Sequence, residues 1–248
     1  MASSQFDWFV SDIHLSPGRP DLTEGFLAFL GNRHDDTRRL YILGDLFDYW
    51  IGDDVHLNVY RSVIGALQRL HQVGVSLYFC PGNRDFLVGD LFYDATGCQP
   101  LGEITSIQIA DQKCLLLHGD TLCTDDAAYL QLRKQLRNPS WQASFLSQPP
   151  AERVRYAENL RAQSQQANAE KAEQILDANQ QAIEDTLLLH QASLMIHGHT
   201  HRPNRHPWQL QGAFVERIVL GDWGAQGWAL KSTEQSLELL NWPLKEPV

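Results

Sequence analysis

Leu40-Tyr41-Ile42-Leu43-Gly44-Asp45-Leu46-Phe47-Asp48 runs from four unbroken apolar residues into a turn that carries two acids. A short apolar run stopped by glycine reads as a strand buried on both faces, so the acids after it stand at the end of a strand in a covered sheet. Phe6 to Val10 repeats the pattern before Ser11-Asp12, and Val75 to Cys80 repeats it before Pro81-Gly82. Between the second and third runs, Val59 to Val73 sets Val63, Leu67 and Leu70 at helical spacing. Strand, helix, strand is the alternation of an α/β layered core. Cys114 to Leu117 and Leu194 to Ile196 read as further buried strands, and Val215 to Leu220, Gly227 to Leu230 and Leu237 to Leu240 as short strands between turns.

The middle of the chain is different. From Asp125 to about His190 it is rich in Ala, Gln, Leu and Glu, poor in strand formers, and broken at Gln148-Pro149-Pro150. This composition predicts two or more helices. Strand-type blocks resume afterwards, so the reading is a core of residues 1–124 and 191–248 that carries an inserted helical cap at 125–190. No internal repeat is found.

The 248 residues are enough for one sizeable core. No apolar run reaches 18 residues and the first residues lack a basic-then-apolar leader, which predicts a cytoplasmic protein. The four cysteines, Cys80, Cys98, Cys114 and Cys123, have neither paired zinc spacing nor disulfide density and read as buried or inert thiols. A net charge of -10 repels a polyanion, which argues against nucleic acid as a partner. Seven Lys and Arg against five acids lie between Asp125 and Lys171, so this stretch is basic on an acidic chain. It reads either as a solvated helical surface or as a patch for phosphate or membrane.

Five blocks fall at strand ends: Asp12-Ile13-His14, Gly44-Asp45-Leu46-Phe47-Asp48, Gly82-Asn83-Arg84-Asp85, His118-Gly119-Asp120 and Gly198-His199-Thr200-His201. Open α/β folds assemble their sites at such ends. Carboxylate, imidazole and amide oxygen without thiolate suit a divalent ion of intermediate hardness such as manganese, iron or zinc. Asp45, on the sharp turn after its strand, is the natural bridge between two such ions. Two dications against two carboxylates attract phosphate and acidify a water for attack, so no Ser or Cys nucleophile is needed. Singly, each block is also an ordinary turn or a satisfied core histidine; together, in one order and each after an apolar run, they point to a site.

In these five blocks the sequence resembles the calcineurin-like metallophosphoesterases. The resemblance implies a four-layer αββα sandwich with a dinuclear centre. It implies that Asp12, His14, Asp45 and His201 hold one metal, that Asp45, Asn83, His118 and His199 hold the other, and that Asp45, Asn83, Arg84 and His118 serve catalysis. His197 is not a pattern ligand; it reads as a strand-end imidazole or as support for a ligand. Many members carry histidine where this chain has Arg84. Arginine cannot donate a proton at ordinary pH, but its planar fork grips phosphate oxygens. A phosphate with a second pKa of about 6 departs without protonation, so Arg84 argues for a diphosphate substrate. Pairing of Arg84 with Asp85 or Asp48 is the other reading.

Longer runs, among them Trp50-Ile51-Gly52-Asp53-Asp54, His118 through Asp126 and Ile196 through Pro203, resemble a branch of the family active in lipid A assembly. That resemblance implies UDP-2,3-diacylglucosamine as substrate, cut at the α-phosphorus to UMP and 2,3-diacylglucosamine 1-phosphate, with manganese the usual metal. It further implies substrate contacts at Asn83, Arg84, Asp126, Ser164, Asn168, Lys171 and His199, and peripheral attachment to the cytoplasmic face of the inner membrane. Positions 164, 168 and 171 share one helical face, as a sugar phosphate or mere solvent exposure would each allow. Trp141, Phe145, Leu146, Tyr129 and Leu132 are available to line an acyl slot. A nucleotide pyrophosphatase, a cyclic-nucleotide phosphodiesterase and a non-catalytic scaffold are the alternatives; oligomeric state is not legible.

Overall fold

The computed structural model describes residues 6–32, 36–170, 177–233 and 236–244, with the side chains of 165–170 outside that set. In chain order the elements are β1 (Phe6–Val10), α1 (Pro20–Gly31), β2 (Thr37–Leu43), α2 (Asp53–Val59), α3 (Arg61–Gln72), β3 (Ser76–Cys80), α4 (Asp90–Thr96), β4 (Cys98–Pro100), β5 (Thr105–Ile109) and β6 (Gln112–Leu116). They continue with α5 (Ala127–Leu136), α6 (Pro139–Leu146), α7 (Pro150–Glu170), α8 (Gln180–His190), β7 (Leu194–His197), β8 (Asn204–Leu210), β9 (Ala213–Val219), β10 (Gln226–Ser232) and β11 (Leu237–Pro243).

Two mixed sheets form, ordered β11-β10-β1-β2-β3-β4 and β5-β6-β7-β9-β8. β1 to β4 run parallel in the first and β6, β7 and β9 in the second, while the outer strands β10, β11, β5 and β8 join antiparallel. Alternate side chains explain why the central strands read as continuous apolar runs. Phe9, Tyr41 and Leu43 of the first sheet meet Cys114, Leu116, Leu194 and Ile196 of the second. On the opposite face Trp8, Val10, Leu40 and Ile42 pack with Phe26 and Phe29 of α1 and Val63 and Leu67 of α3. Beyond the second sheet, Leu115 and Met195 pack with Ile183 and Leu187 of α8. Helix, sheet, sheet, helix is the layer order, as the resemblance implies. Full burial of each such side chain contributes roughly 1.5–3 kcal/mol.

The central strands and α3 lie within a few residues of the sequence reading. The edge strands β4, β5 and β8 and helices α1, α2 and α4 were not read. β8 contains Pro207, which a strand tolerates only at an edge. In the 125–190 stretch the described residues form α5 to α8, with the Pro149-Pro150 break immediately before or within the first turn of α7. β6 and β7 pair directly across that stretch, and α8 belongs to the outer layer of the second sheet.

Candidate metal centre

All the strands that run parallel in the two sheets release their C-terminal loops at one end, and five of these loops carry the five blocks. Backbone bonds lash them together: Asp12 N–H donates to Gly44 O (3.1 Å), His14 N–H to Asp45 O (3.0 Å) and Gly198 N–H to His118 O (2.8 Å). Asp12, His14, Asp45, His199 and His201 all adopt left-handed backbone, with φ of 53, 53, 52, 67 and 54°. Such a conformation costs a non-glycine residue about 1–2 kcal/mol, and its concentration here marks a site held in strain. Gly82 is required by close approach, since a Cβ there would lie 2.1 Å from Asp45 Oδ1.

The side chains form two adjoining groups. In the first, His14 Nε2 faces His201 Nε2 at 3.2 Å, and His201 Nε2 lies 3.4 Å from Asp12 Oδ1. Asp12 Oδ2 accepts from Ser11 Oγ (2.6 Å) and from His199 N–H (2.9 Å), which leaves Oδ1 buried without a hydrogen-bond partner. In the second, Asn83 Oδ1 lies 2.9 Å from both His118 Nε2 and His199 Nδ1. Asp45 stands between the groups, Oδ1 3.6 Å from His118 Nε2 and Oδ2 3.9 Å from His14 Nδ1. Imidazole nitrogens converging on one another and an orphaned carboxylate oxygen are poor partners for each other and good partners for a cation. The residues fit divalent metals: in two overlapping donor sets, Asp12 with His14 and His201 and Asp12 with Asp45 and His118, one ligand atom from each residue lies within 4.8 Å of the others.

Supporting groups orient these donors. His118 Nδ1 donates to Leu43 O (2.9 Å), which turns the Nε2 lone pair inward. Asp222 Oδ2 lies 3.7 Å from His201 Nδ1. Asp85 is fully buried and accepts from the N–H groups of Gly82 (2.7 Å) and Leu46 (2.8 Å), with Asp45 and Phe47 more distant, so it ties the second block to the third. Asp85 was read from sequence only as a possible partner of Arg84, and Asp222, Ser11 and Asp120 were not singled out; Asp85 and Asp120 sit inside quoted blocks, which was the available signal. His197 is buried, lies 2.8 Å from Gly198 O through Nδ1, and is lowered to about 3 by burial and Arg217, so it is a neutral strand-end imidazole.

Burial alone would lower His118, but the Asp45, Asp12 and Asp120 carboxylates hold it up to about 9. Burial and then His118 push its neighbour His199 down to about 4. A metal ligand must be neutral at the coordinating nitrogen, so a metal held by His118 near pH 7 would displace its proton. Metal affinity is therefore expected to rise about tenfold per pH unit and level off above about pH 9, as titration of the metal-free protein with manganese at several pH values would read out. A pH-independent affinity would contradict the protonated state.

Arg84 resolves toward Asp48: Nη1 donates to Asp48 Oδ1 (2.9 Å) and Nε lies 3.5 Å from Asp45 Oδ2. Asp126 caps α5 by accepting from Tyr129 N–H (3.0 Å). Ser164 is exposed on α7; Asn168 lies in α7 with its side chain outside the described residues, and Lys171 lies outside them altogether. The basic excess of the helical stretch is largely engaged with the core. Arg133 pairs with Asp120 (2.7 Å) and Glu103, Arg137 donates to Gly82 O (2.9 Å), Arg153 pairs with Asp54 and Arg161 with Asp48. All four cysteines are buried and unbridged, as read. Among the described residues no helix is long and apolar enough to cross a membrane.

Two α/β sheets with a cluster of Asp, His and Asn side chains at their common edge define a metal-dependent phosphoesterase, and residues 8–203 match the calcineurin-like phosphoesterase family. The chain belongs to that family. Over 236 residues it is 46% identical to a UDP-2,3-diacylglucosamine hydrolase of Cellvibrio japonicus (strain Ueda107), covering 95% of this chain and 98% of the relative. It is 45% identical over 235 residues to the UDP-2,3-diacylglucosamine hydrolase of Serratia proteamaculans (strain 568), with the same coverage of 95% and 98%. Vacuolar protein sorting 29 of Cryptosporidium parvum shares the fold, with a TM-score of 0.50 at 12% identity over 98% of this chain and 93% of that one.

Proposed function

We propose that this protein hydrolyses the diphosphate of UDP-2,3-diacylglucosamine by attack of water on the α-phosphorus, releasing UMP and 2,3-diacylglucosamine 1-phosphate. The observation that carries the reading is the place of Arg84. Its fork stands beside Asp45 with one edge fixed on Asp48, where a phosphate oxygen can be gripped but no proton given. That suits a leaving group that departs as a phosphate and not as an alkoxide. The relatives named for the same substrate support it.

Asp12, His14, Asp45 and His201 would hold one divalent ion and Asp45, Asn83, His118 and His199 the other, with manganese the preferred metal. Bound there, the ions would lower the pKa of water for attack near neutral pH and would offset the charge of the phosphates. Asn83, Arg84 and His118 act on the diphosphate at the core, while Asp126, Ser164, Asn168, Lys171 and His199 contact the rest of the substrate. Within the inserted stretch 125–190, α5 to α7 act as a cap on a core of 1–124 and 191–248, while α8 packs on the second sheet as its outer layer. The acyl slot would draw on Trp141, Phe145, Leu146, Tyr129 and Leu132; Trp141 stacks on Phe145, which is buried in the main core, at 5.0 Å, and Phe86, two residues from Arg84, lies 6.4 Å from Trp141. Attachment to the cytoplasmic face of the inner membrane is peripheral and weak, because four arginines of the cap are engaged with the core and leave little charge for lipid headgroups.

Metal-loaded protein offered the lipid nucleotide, the same nucleotide sugar without acyl chains, and a cyclic nucleotide should favour the first by about 100-fold or more in kcat/KM. Equal turnover of the deacylated compound would favour a general nucleotide pyrophosphatase, and preference for the cyclic nucleotide a phosphodiesterase.

A further inference from the structure

The Trp50-Ile51-Gly52-Asp53-Asp54 block contributes no residue to the donor groups of the metal centre, yet its side chains are closely tied. Trp50 is buried, donates its indole N–H to Asp53 Oδ1 (2.9 Å) and its backbone N–H to the Arg84 carbonyl (3.1 Å). Asp53 also accepts from Gly89 N–H (3.0 Å) and Phe92 N–H (3.3 Å), which anchors the block on α4. Into it reaches Arg153 of α7, only 2% exposed, donating to Ile51 O (2.6 Å) and Asp54 Oδ1 (2.9 Å) and pairing through its second amino group with Asp54 Oδ2. Gly52 has φ 134°, and a Cβ there would lie 2.4 Å from Arg153 Nη1. Glycine at 52 is thus what admits the guanidinium.

We infer that this block is a socket for Arg153 that sets the register of α7 over the metal centre, and that Arg153 is a positioning residue for the substrate. Arg161 stands eight residues on, about 12 Å along the helix axis. It pairs with Asp48, the same buried carboxylate that holds Arg84. Helix α7 is therefore referenced to the Arg84 loop at two points, once through its backbone at Trp50 and once through its side chain at Asp48. Ser164 follows one turn later. An ion pair of this kind adds little net stability, because desolvating the guanidinium offsets the attraction; what it fixes is geometry. The inference rests on the reading that α7 faces the lipid nucleotide.

The test compares Arg153→Met and Arg153→Lys with the wild-type holoenzyme for kcat and KM on UDP-2,3-diacylglucosamine, for bound metal, and for hydrogen exchange in peptides of residues 150–164. Arg153→Met should raise KM about tenfold or more, change kcat by less than about threefold and keep its metal, because α7 contacts are made equally in ground and transition states. Exchange in 150–164 should quicken while β1 to β3 stay unchanged, and Arg153→Lys, which still reaches Ile51 O and Asp54, should recover most of the KM. An unchanged KM, or losses of kcat and metal in step with KM, would overturn the inference. If Arg153→Met does not fold, Asp54→Asn takes its place, with a KM rise of about threefold or more expected and no rise counting against it. Failure of the wild type to turn over this substrate would instead reject the substrate reading. The exchange arm then decides the inference alone, and unchanged protection of 150–164 would end it.

Discussion

Asp45→Ala is expected to lower kcat by about four orders of magnitude, equivalent to about 5.5 kcal/mol of transition-state stabilisation. Bound metal should fall from about two ions per chain to one or fewer. The reason is positional. Asp45 stands at the junction of the two donor groups, one carboxylate oxygen toward His118 and the other toward His14. Its Oδ1 also accepts the Arg84 N–H at 2.9 Å, so its loss loosens the loop that presents Asn83 and Arg84. Without Asp45 the two groups together retain only imidazoles, one amide and the single carboxylate of Asp12, too little negative charge to hold adjacent dications against their repulsion. Metal analysis and single-turnover kinetics on the same preparation check both parts, and a variant with wild-type turnover would remove the two-metal basis of the account.

Arg84→Ala is the second large effect, expected at about 100-fold in kcat/KM with two metals retained. The guanidinium touches no metal-type donor except Asp45, at 3.5 Å, so the centre should survive its removal. What goes is the fork beside the diphosphate, and most of the change should appear in KM. Arg84→His offers a sharper comparison: it replaces the guanidinium with a group that can donate a proton. If the leaving group needs no proton, His should do no better than Ala on the lipid nucleotide. Recovery of turnover in Arg84→His, with a new acidic limb in its pH profile, would show that the departing oxygen requires protonation.

The features legible in the sequence are those with a local cause. β1, β2, β3, β6 and β7 are covered on both faces, so their apolar runs are unbroken, and the polar residue that ends each run falls at the shared edge of the sheets. β4, β5 and β8 are edge strands with little burial on either face, and β8 carries Pro207, so no periodicity announces them. α1 had signals that were passed over, Pro20 in its first turn and Leu22, Phe26, Phe29 and Leu30 on one face. The seven metal-type residues come to two adjoining groups, but the left-handed backbone of five of them, Asp12, His14, Asp45, His199 and His201, was invisible, because in sequence glycine is the residue that advertises that conformation. Arg153 with Asp54 and Arg161 with Asp48 join residues about a hundred positions apart, and no local pattern encodes such a pair. The basic bias of 125–171 had been compatible with a lipid-facing patch; the structure shows where much of that charge goes.

Parallel strands deliver the metal-type donors to one edge, and the helices between β6 and β7 lie against the same loops through arginines. The most direct test of that account is hydrolysis of UDP-2,3-diacylglucosamine by the manganese-loaded protein in water enriched in oxygen-18, with the label located in the two phosphate products by mass spectrometry. The account predicts label in UMP and none in 2,3-diacylglucosamine 1-phosphate, from attack on the α-phosphorus. Label in the sugar phosphate would contradict it.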